Sequence, residues 1–269
     1  QGPNARKILT PLVEWDMHVM RFFRVQKTTL AGLPVWVSRT GYTGDLGYEI
    51  WTHNEHALAV WDAIMAEGKR WNIEPIGLDA LDVVRIEAGY VLQGIDYISA
   101  KSCLIESRKS SPQEAGLGWT VDLDRDEDSD APAFIGQRAL LQERSQGSKW
   151  AMVGLELDWQ ATETLYEEYG LPPHLAPEAC RDAVPIYDAS GKKQVGQVTS
   201  TTWSPLLKRY IALGQVLAEY GTIGTQLRVE HTVEVNRRQL PATVVNKPFF
   251  DPERKKHTPK KFKRNRKAS

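Results

Sequence analysis

The stretch RTGYTGDLGYEI, residues 39–50, narrows more than any other what this chain can fold into. Before it, PVWVSRT alternates Val35, Val37 and Arg39 against Trp36, Ser38 and Thr40, and after it GYEIWT resumes the same character. β-Branched and aromatic residues at period two mark a half-buried strand on each side. The strands reverse across a segment holding Gly41, Gly44 and Gly47, more glycine than chain reversal alone requires. Tyr42, Asp45 and Glu49 sit on or beside that reversal, where backbone comes close to whatever lies above it. One reading makes them a ligand-binding turn. The other makes them a decorated hairpin with solvent-facing acids.

The flanking sequence extends this hairpin into an α+β domain. Residues 4–13 predict a short helix, and HVMRFFRVQKTTLAGLPVWVSRTG predicts two strands joined at Ala31-Gly32. Asn54 is placed to cap a helix in which Leu58, Trp61 and Met65 form a stripe widened by Ala57, Val60 and Ile64, ending at Gly68. GLDALDVVRIEAG predicts a second helix with Leu78, Leu81, Val84 and Ala88 on one face and Gly89 as its stop. SRKSSPQEAG is loop-like and DLDRDEDSDAP is an acidic linker. From Lys149 short strand patterns recur (WAMVGLEL, AVPIYD, QVGQVTSTTW, YIALGQVL, TQLRVEH, PATVVNKPFF), as in a small β-barrel or sandwich. The insert DWQATETLYEEYGLPPHLAPEAC is a loop or short helix.

Composition excludes several functions. No run approaches the roughly 18 apolar residues of a membrane span, and no apolar signal core opens the chain, so the expected compartment is the cytoplasm. Cys103 and Cys180 lie far apart, with neither disulfide nor zinc spacing, and six scattered histidines form no ligand helix; no metal site is expected. The formal net charge of zero conceals a basic end: Arg254 to Lys267 holds nine Lys or Arg and no acid. Without an apolar face or stacking array this reads as a solvated tail, and nucleic acid binding is not expected. QGPNARKIL reads as the middle of a domain. The chain is therefore expected to be a fragment or processed product.

QGPNARKIL, SRTGYTGDLGYEI, GLDALDVVRIEAG, GQVTSTTWSPLLKRYIALGQV and PATVVNKPFF, in this order and approximate spacing, resemble the aminomethyltransferase family, the T protein of the glycine cleavage system and its folate-dependent relatives. The resemblance covers residues 1 to about 252. It implies a partial folate-binding α+β domain at 1–115 and a C-terminal β-barrel domain at 149–252, between and beyond which composition places a linker at 116–148 and a basic, disordered tail at 253–269. It implies tetrahydrofolate as cofactor, and transfer of an aminomethyl carbon to it from a lipoyl-carrying H protein. Folate-dependent demethylation of an N-, S- or O-methyl compound, a small-molecule one-carbon donor, is the alternative within the fold. A non-catalytic folate-binding module is a third.

By motif, the family's folate site falls on Tyr42, Glu49 and Arg85, and the loop of the C-terminal domain adds Trp203 and Arg209. A carboxylate at Glu49 suits the adjacent N–H donors of a pterin, and the Tyr42 ring suits its flat face. Arg85 offers a guanidinium to folate's glutamate or to Glu49, or forms an Asp82–Arg85 helix pair worth a few tenths of a kcal/mol. Asp45 replaces the family's usual Glu, Gln93 stands where an aromatic is common, and IDYISAKSCLIESRKSSP is longer than the usual connection. The family's functionally central aspartate precedes QGP. No catalytic residue is assigned within this chain.

Overall fold

A computed structural model of the protein describes residues 1–124 and 133–259. The chain forms two compact units: residues 1–88 joined by the segment that begins at Phe250, and Gly89–Phe249.

The first unit contains helix α1 (Ala5–Leu9), strands β1 (Val25–Leu30), β2 (Leu33–Ser38) and β3 (Glu49–Thr52), and helices α2 (Ala57–Gly68) and α3 (Leu78–Glu87). The strands form an antiparallel sheet in the order β1-β2-β3. Ala31 and Gly32 make the first reversal with φ of 49° and 79°, the left-handed pair that suits a two-residue hairpin. Val35 and Val37 point inward, onto a core with Leu9, Met17, Leu30 and Tyr48. Trp36 and Trp51, opposite one another in the register, remain on the outer face, Trp51 61% exposed.

Both longer helices turn a different side inward from the one their apolar spacing suggests. In α2 the buried residues are Val60 and Gly68, with Ala63 and Ile64 packed on the same core as Val60, while Leu58 and Trp61 face solvent. Apolar residues occur on both sides of this helix, so periodicity alone does not select the inner one. In α3 Leu78 is exposed and the buried row includes Asp82, Arg85 and Glu87. The charges are tolerated inside because Asp82 and Arg85 pair with each other, Nε donating to Oδ1 at 2.7 Å.

Arg39, directly after β2, is fully buried with 0% exposure. Its Nη1 donates to the Met20 carbonyl at 2.7 Å and to Thr258 Oγ1 at 3.1 Å, and its Nη2 to the Lys255 and His257 carbonyls at 2.9 and 2.7 Å. Residues 253–259 are therefore docked on the first unit. Phe250 N–H bonds to the Glu87 carbonyl, a 3₁₀ turn spans Glu253–Lys255, and Arg254 meets Asp45 in a fork with both N···O distances under 3 Å. A lysine-rich sequence gives no hint of this docking, because most of its acceptors for Arg39 are backbone carbonyls. Residues 260–269 of the basic end lie outside the described residues.

The second unit is a closed six-stranded barrel in the order β4-β7-β6-β5-β8-β9, formed by β4 (Trp150–Leu157), β5 (Val184–Asp188), β6 (Gln194–Ser204), β7 (Arg209–Leu217), β8 (Gln226–Val233) and β9 (Asn236–Val245). Closure removes the edges that an open sheet would expose. Leu155, Ile186, Val198 and Leu213 fill its core. Helix α5 (Trp159–Glu167) occupies the insert after β4, capped by Asp158, whose carboxylate accepts from Ala161 N–H at 2.7 Å. Within residues 89–115, Ser110 and Asp96 bond to barrel strands: the Gln215 amide donates to Ser110, and Thr199 and Ser200 donate to Asp96. The stretch expected as linker includes a 3₁₀ turn at Gly118–Thr120 and helix α4 (Gln137–Gln146); residues 125–132 of the acidic run lie outside the described residues.

Removing residues 253–269 takes four acceptors from the Arg39 guanidinium together with the segment that covers it, so the truncated chain should lose about 2–4 kcal/mol of stability. Arg39→Met in the truncated background should restore part of that loss. Thermal unfolding of the two proteins decides it; an unchanged Tm on truncation contradicts the anchoring.

Candidate functional site

The turn between β2 and β3 is built around one side chain. The Gln1 amide nitrogen donates to the Tyr48 carbonyl at 3.0 Å and reaches the Thr40 carbonyl at 3.5 Å, while Thr43 Oγ1 donates to Gln1 Oε1 at 3.0 Å. Gly2 N–H bonds to the Leu46 carbonyl at 2.8 Å. A Cβ at either Gly41 or Gly47 would overlap the Gln1 amide, so these two glycines make room for a side chain as well as reversing the chain. Tyr42 sits half-buried between Gly41 and Thr43.

Glu49 opens β3 opposite Ser38. Its Oε2 accepts from Thr40 Oγ1 at 2.5 Å and Ser38 Oγ at 3.0 Å, which fixes the carboxylate while the group stays exposed. Among the described residues Oε1 carries no hydrogen bond, so one oxygen is free to accept from a ligand. Arg85 is 1% exposed and its Nε is given to Asp82. Asp45, read as a departure near the turn, is the partner of Arg254.

Trp203 and Arg209 belong to the barrel unit. Trp203 lies on β6 opposite Tyr210, with ring centroids 5.5 Å apart, and 5.0 Å from Trp159, an aromatic cluster packed on the barrel core. Arg209 is exposed at the start of β7 and its Nη1 donates to Glu156 Oε2 at 2.7 Å.

A second polar cluster escapes sequence reading. Asp96 is 1% exposed. Its Oδ1 accepts from Thr199 Oγ1 at 2.5 Å and Ser200 Oγ at 2.8 Å, and its Oδ2 from Leu92 N–H at 2.7 Å. The register of β6 against β7 slips between Val198 and Ser200, and this bulge turns both hydroxyls toward one carboxylate. Asp96, Thr199 and Gln215 line a cavity of about 510 Å³. Burial pushes the Lys247 amine below the ordinary lysine value, and the negative charge of Asp96 opposes that shift. Asp96 lies in a stretch notable in the sequence only for its length; a bulge has no signal there. The Gln1 contact does have one, in glycines at 41 and 47 that the turn itself does not need.

Residues 1–125 match the family model for the GCVT N-terminal domain, and residues 152–251 match the glycine cleavage T-protein C-terminal barrel domain. The chain belongs to the aminomethyltransferase, or glycine cleavage T-protein, family. It is 35% identical over 250 residues to an aminomethyltransferase of Halothermothrix orenii, covering 93% of this chain and 59% of that protein. Against the aminomethyltransferase of Caldanaerobacter subterraneus the identity is 34% over 258 residues, with 95% and 59% covered. A trimethylamine-oxide aldolase of Ruegeria pomeroyi is 36% identical over 262 residues, 94% of this chain but 29% of that protein. The chain thus spans about three fifths of the aminomethyltransferases it matches. The crystal structure of aminomethyltransferase T from Bartonella henselae shares the fold, with a TM-score of 0.70 at 24% identity over 93% of this chain and 58% of that one. No helix among the described residues is long and apolar enough to cross a membrane.

Asp96→Asn should destabilise the barrel unit by about 1–3 kcal/mol near neutral pH, since it disrupts a saturated buried acceptor. The cost should narrow as pH rises through the alkaline range, because a neutral Lys247 amine no longer attracts the carboxylate. Chemical unfolding of both proteins at neutral and alkaline pH checks this; a cost independent of pH would separate Lys247 from Asp96.

Proposed function

We propose that the protein is a tetrahydrofolate-dependent one-carbon transferase of the glycine cleavage T-protein type. Its reaction passes an aminomethyl carbon from the lipoyl arm of an H protein to tetrahydrofolate, with release of ammonia. These are the partners the family membership suggests, and the cytoplasm is the compartment proposed for the reaction.

The observation that carries this reading is Glu49: an exposed carboxylate with one oxygen pinned by the Ser38 and Thr40 hydroxyls and the other open, on a turn that also presents Tyr42. Pinning removes the rotameric freedom that binding would otherwise have to suppress. The open oxygen suits adjacent N–H donors on a planar heterocycle, and the Tyr42 ring offers an apolar face beside it. Tetrahydrofolate, when bound, supplies the nitrogen that takes up the one-carbon unit. Holding and orienting it is the task this chain's residues are fitted for, and orientation alone supplies about 7–11 kcal/mol of a two-substrate barrier in favourable cases. Arg85 enters by holding α3 through its buried pair with Asp82. Trp203 and Arg209 are assigned to the folate site by family motif, and their contacts in the barrel unit do not speak for or against it.

A second reading, folate-dependent demethylation of a methylated amine or related compound, is favoured by one observation. A relative at 36% identity bears the name trimethylamine-oxide aldolase. Incubation of the protein with tetrahydrofolate and either an aminomethyl-loaded lipoyl carrier or an N-methyl donor separates the two by which donor is consumed.

Glu49→Gln replaces the open carboxylate oxygen with one end of an amide and should weaken tetrahydrofolate binding by about 2 kcal/mol while leaving Tm nearly unchanged. Titration calorimetry of both proteins is the measurement, and equal affinities would remove Glu49 from the site.

A further inference from the structure

We infer that the Gln1 side-chain amide is a positioning group for the ligand-binding turn, acting through the backbone that carries Tyr42 and Glu49; this rests on the folate reading of that turn. Besides Gln1, the turn is tied by Gly2 N–H to the Leu46 carbonyl at 2.8 Å and by Arg254 to Asp45. Between Thr40 and Tyr48 it contains no strand or helix, and three of its residues are glycines, which gain the most conformational freedom when released. One amide spans it from the inside: it donates to the carbonyl of Tyr48, accepts from the hydroxyl of Thr43, and leans toward the carbonyl of Thr40. Thr40 and Tyr48 flank the turn, Thr43 lies next to Tyr42, and Tyr48 precedes Glu49. The same amide therefore sets the span of the loop and the origin of β3.

The glycines are the counterpart of this arrangement. Gly41 and Gly47 both face the amide so closely that neither tolerates a Cβ while Gln1 is in place. Thr40 is engaged twice, its carbonyl toward Gln1 and its hydroxyl on Glu49 Oε2 at 2.5 Å. Gln1 thus bears on the pinned carboxylate through a single intervening residue. A carboxylic acid at position 1 would keep the acceptor for Thr43 but would carry a donor only when protonated.

The test uses the protein with Gln1→Met and Gln1→Glu substitutions, tetrahydrofolate titration, and hydrogen exchange of the amides from Gly41 to Gly47. Gln1→Met keeps the volume and loses both polar ends. It should raise the Kd at least about tenfold and speed exchange in the turn, with Tm little changed. Gln1→Glu should bind poorly at neutral pH and approach the wild-type protein, measured at the same pH, as pH falls through the carboxylate range. Wild-type affinity in Gln1→Met, or a weakened affinity with unchanged exchange in the turn, would overturn the inference. So would a Gln1→Glu deficit that does not respond to pH. If the wild-type protein fails to bind tetrahydrofolate, the folate reading falls by itself. Exchange in Gln1→Met then decides the positioning role alone, with unchanged protection of the turn refuting it.

Discussion

A guanidinium without access to water needs acceptors inside the protein, and the two terminal nitrogens of Arg39 find them in two distant parts of the chain, while its Nε bonds to none of the described residues. The loop at Met20 supplies one. The segment from Arg254 to Thr258 supplies the rest. No carboxylate appears among these partners; burial instead draws the Arg39 pKa below its ordinary value while carbonyl dipoles stabilise the charge. The next residue is Thr40, which holds Glu49. The geometry of the candidate site is thus continuous with the most deeply buried charge of its unit, and the returning segment near Arg254 secures the same turn from another side through Asp45.

This dependence explains why glycine is spent so freely in the turn. Reversal of β2 onto β3 across the ten residues between the paired Ser38 and Glu49 leaves a loop with room inside it. The Gln1 side chain fills that room, and fills it with a group that satisfies loop carbonyls and a hydroxyl that would otherwise need water. Loop order and site geometry then arise from one set of contacts. The Glu49 carboxylate is exposed on a loop that is bonded inward, with Tyr42 half-buried beside it.

Much of the architecture is legible in the residues. Val35 and Val37 alternating with Trp36 predict β2 and its inner face, Ala31-Gly32 predicts the first reversal, and the recurrent strand patterns after Lys149 correspond to the six strands of the barrel. Local chemistry wrote those elements, so local reading recovers them. The inward sides of α2 and α3 are less legible, because apolar residues lie on both sides of one helix and a self-satisfied ion pair is buried on the other. Docking of Arg254 to Thr258 is illegible for a different reason. Most of its acceptors for Arg39 are carbonyls, which every residue possesses and no composition reveals. Within the candidate site, the Glu49 carboxylate and Tyr42 ring stand out by residue type, whereas Gln1 and Asp96 gain meaning only from a loop that wraps and a strand that bulges.

The central claim is that the Gly41–Glu49 turn recognises the folate ring system. Its most direct test is nuclear magnetic resonance of the isotopically labelled protein during titration with tetrahydrofolate. The account requires saturable shifts at the backbone amides of Tyr42, Thr43 and Glu49. Saturable binding whose shifts are confined to barrel residues, leaving the turn unchanged, would contradict it.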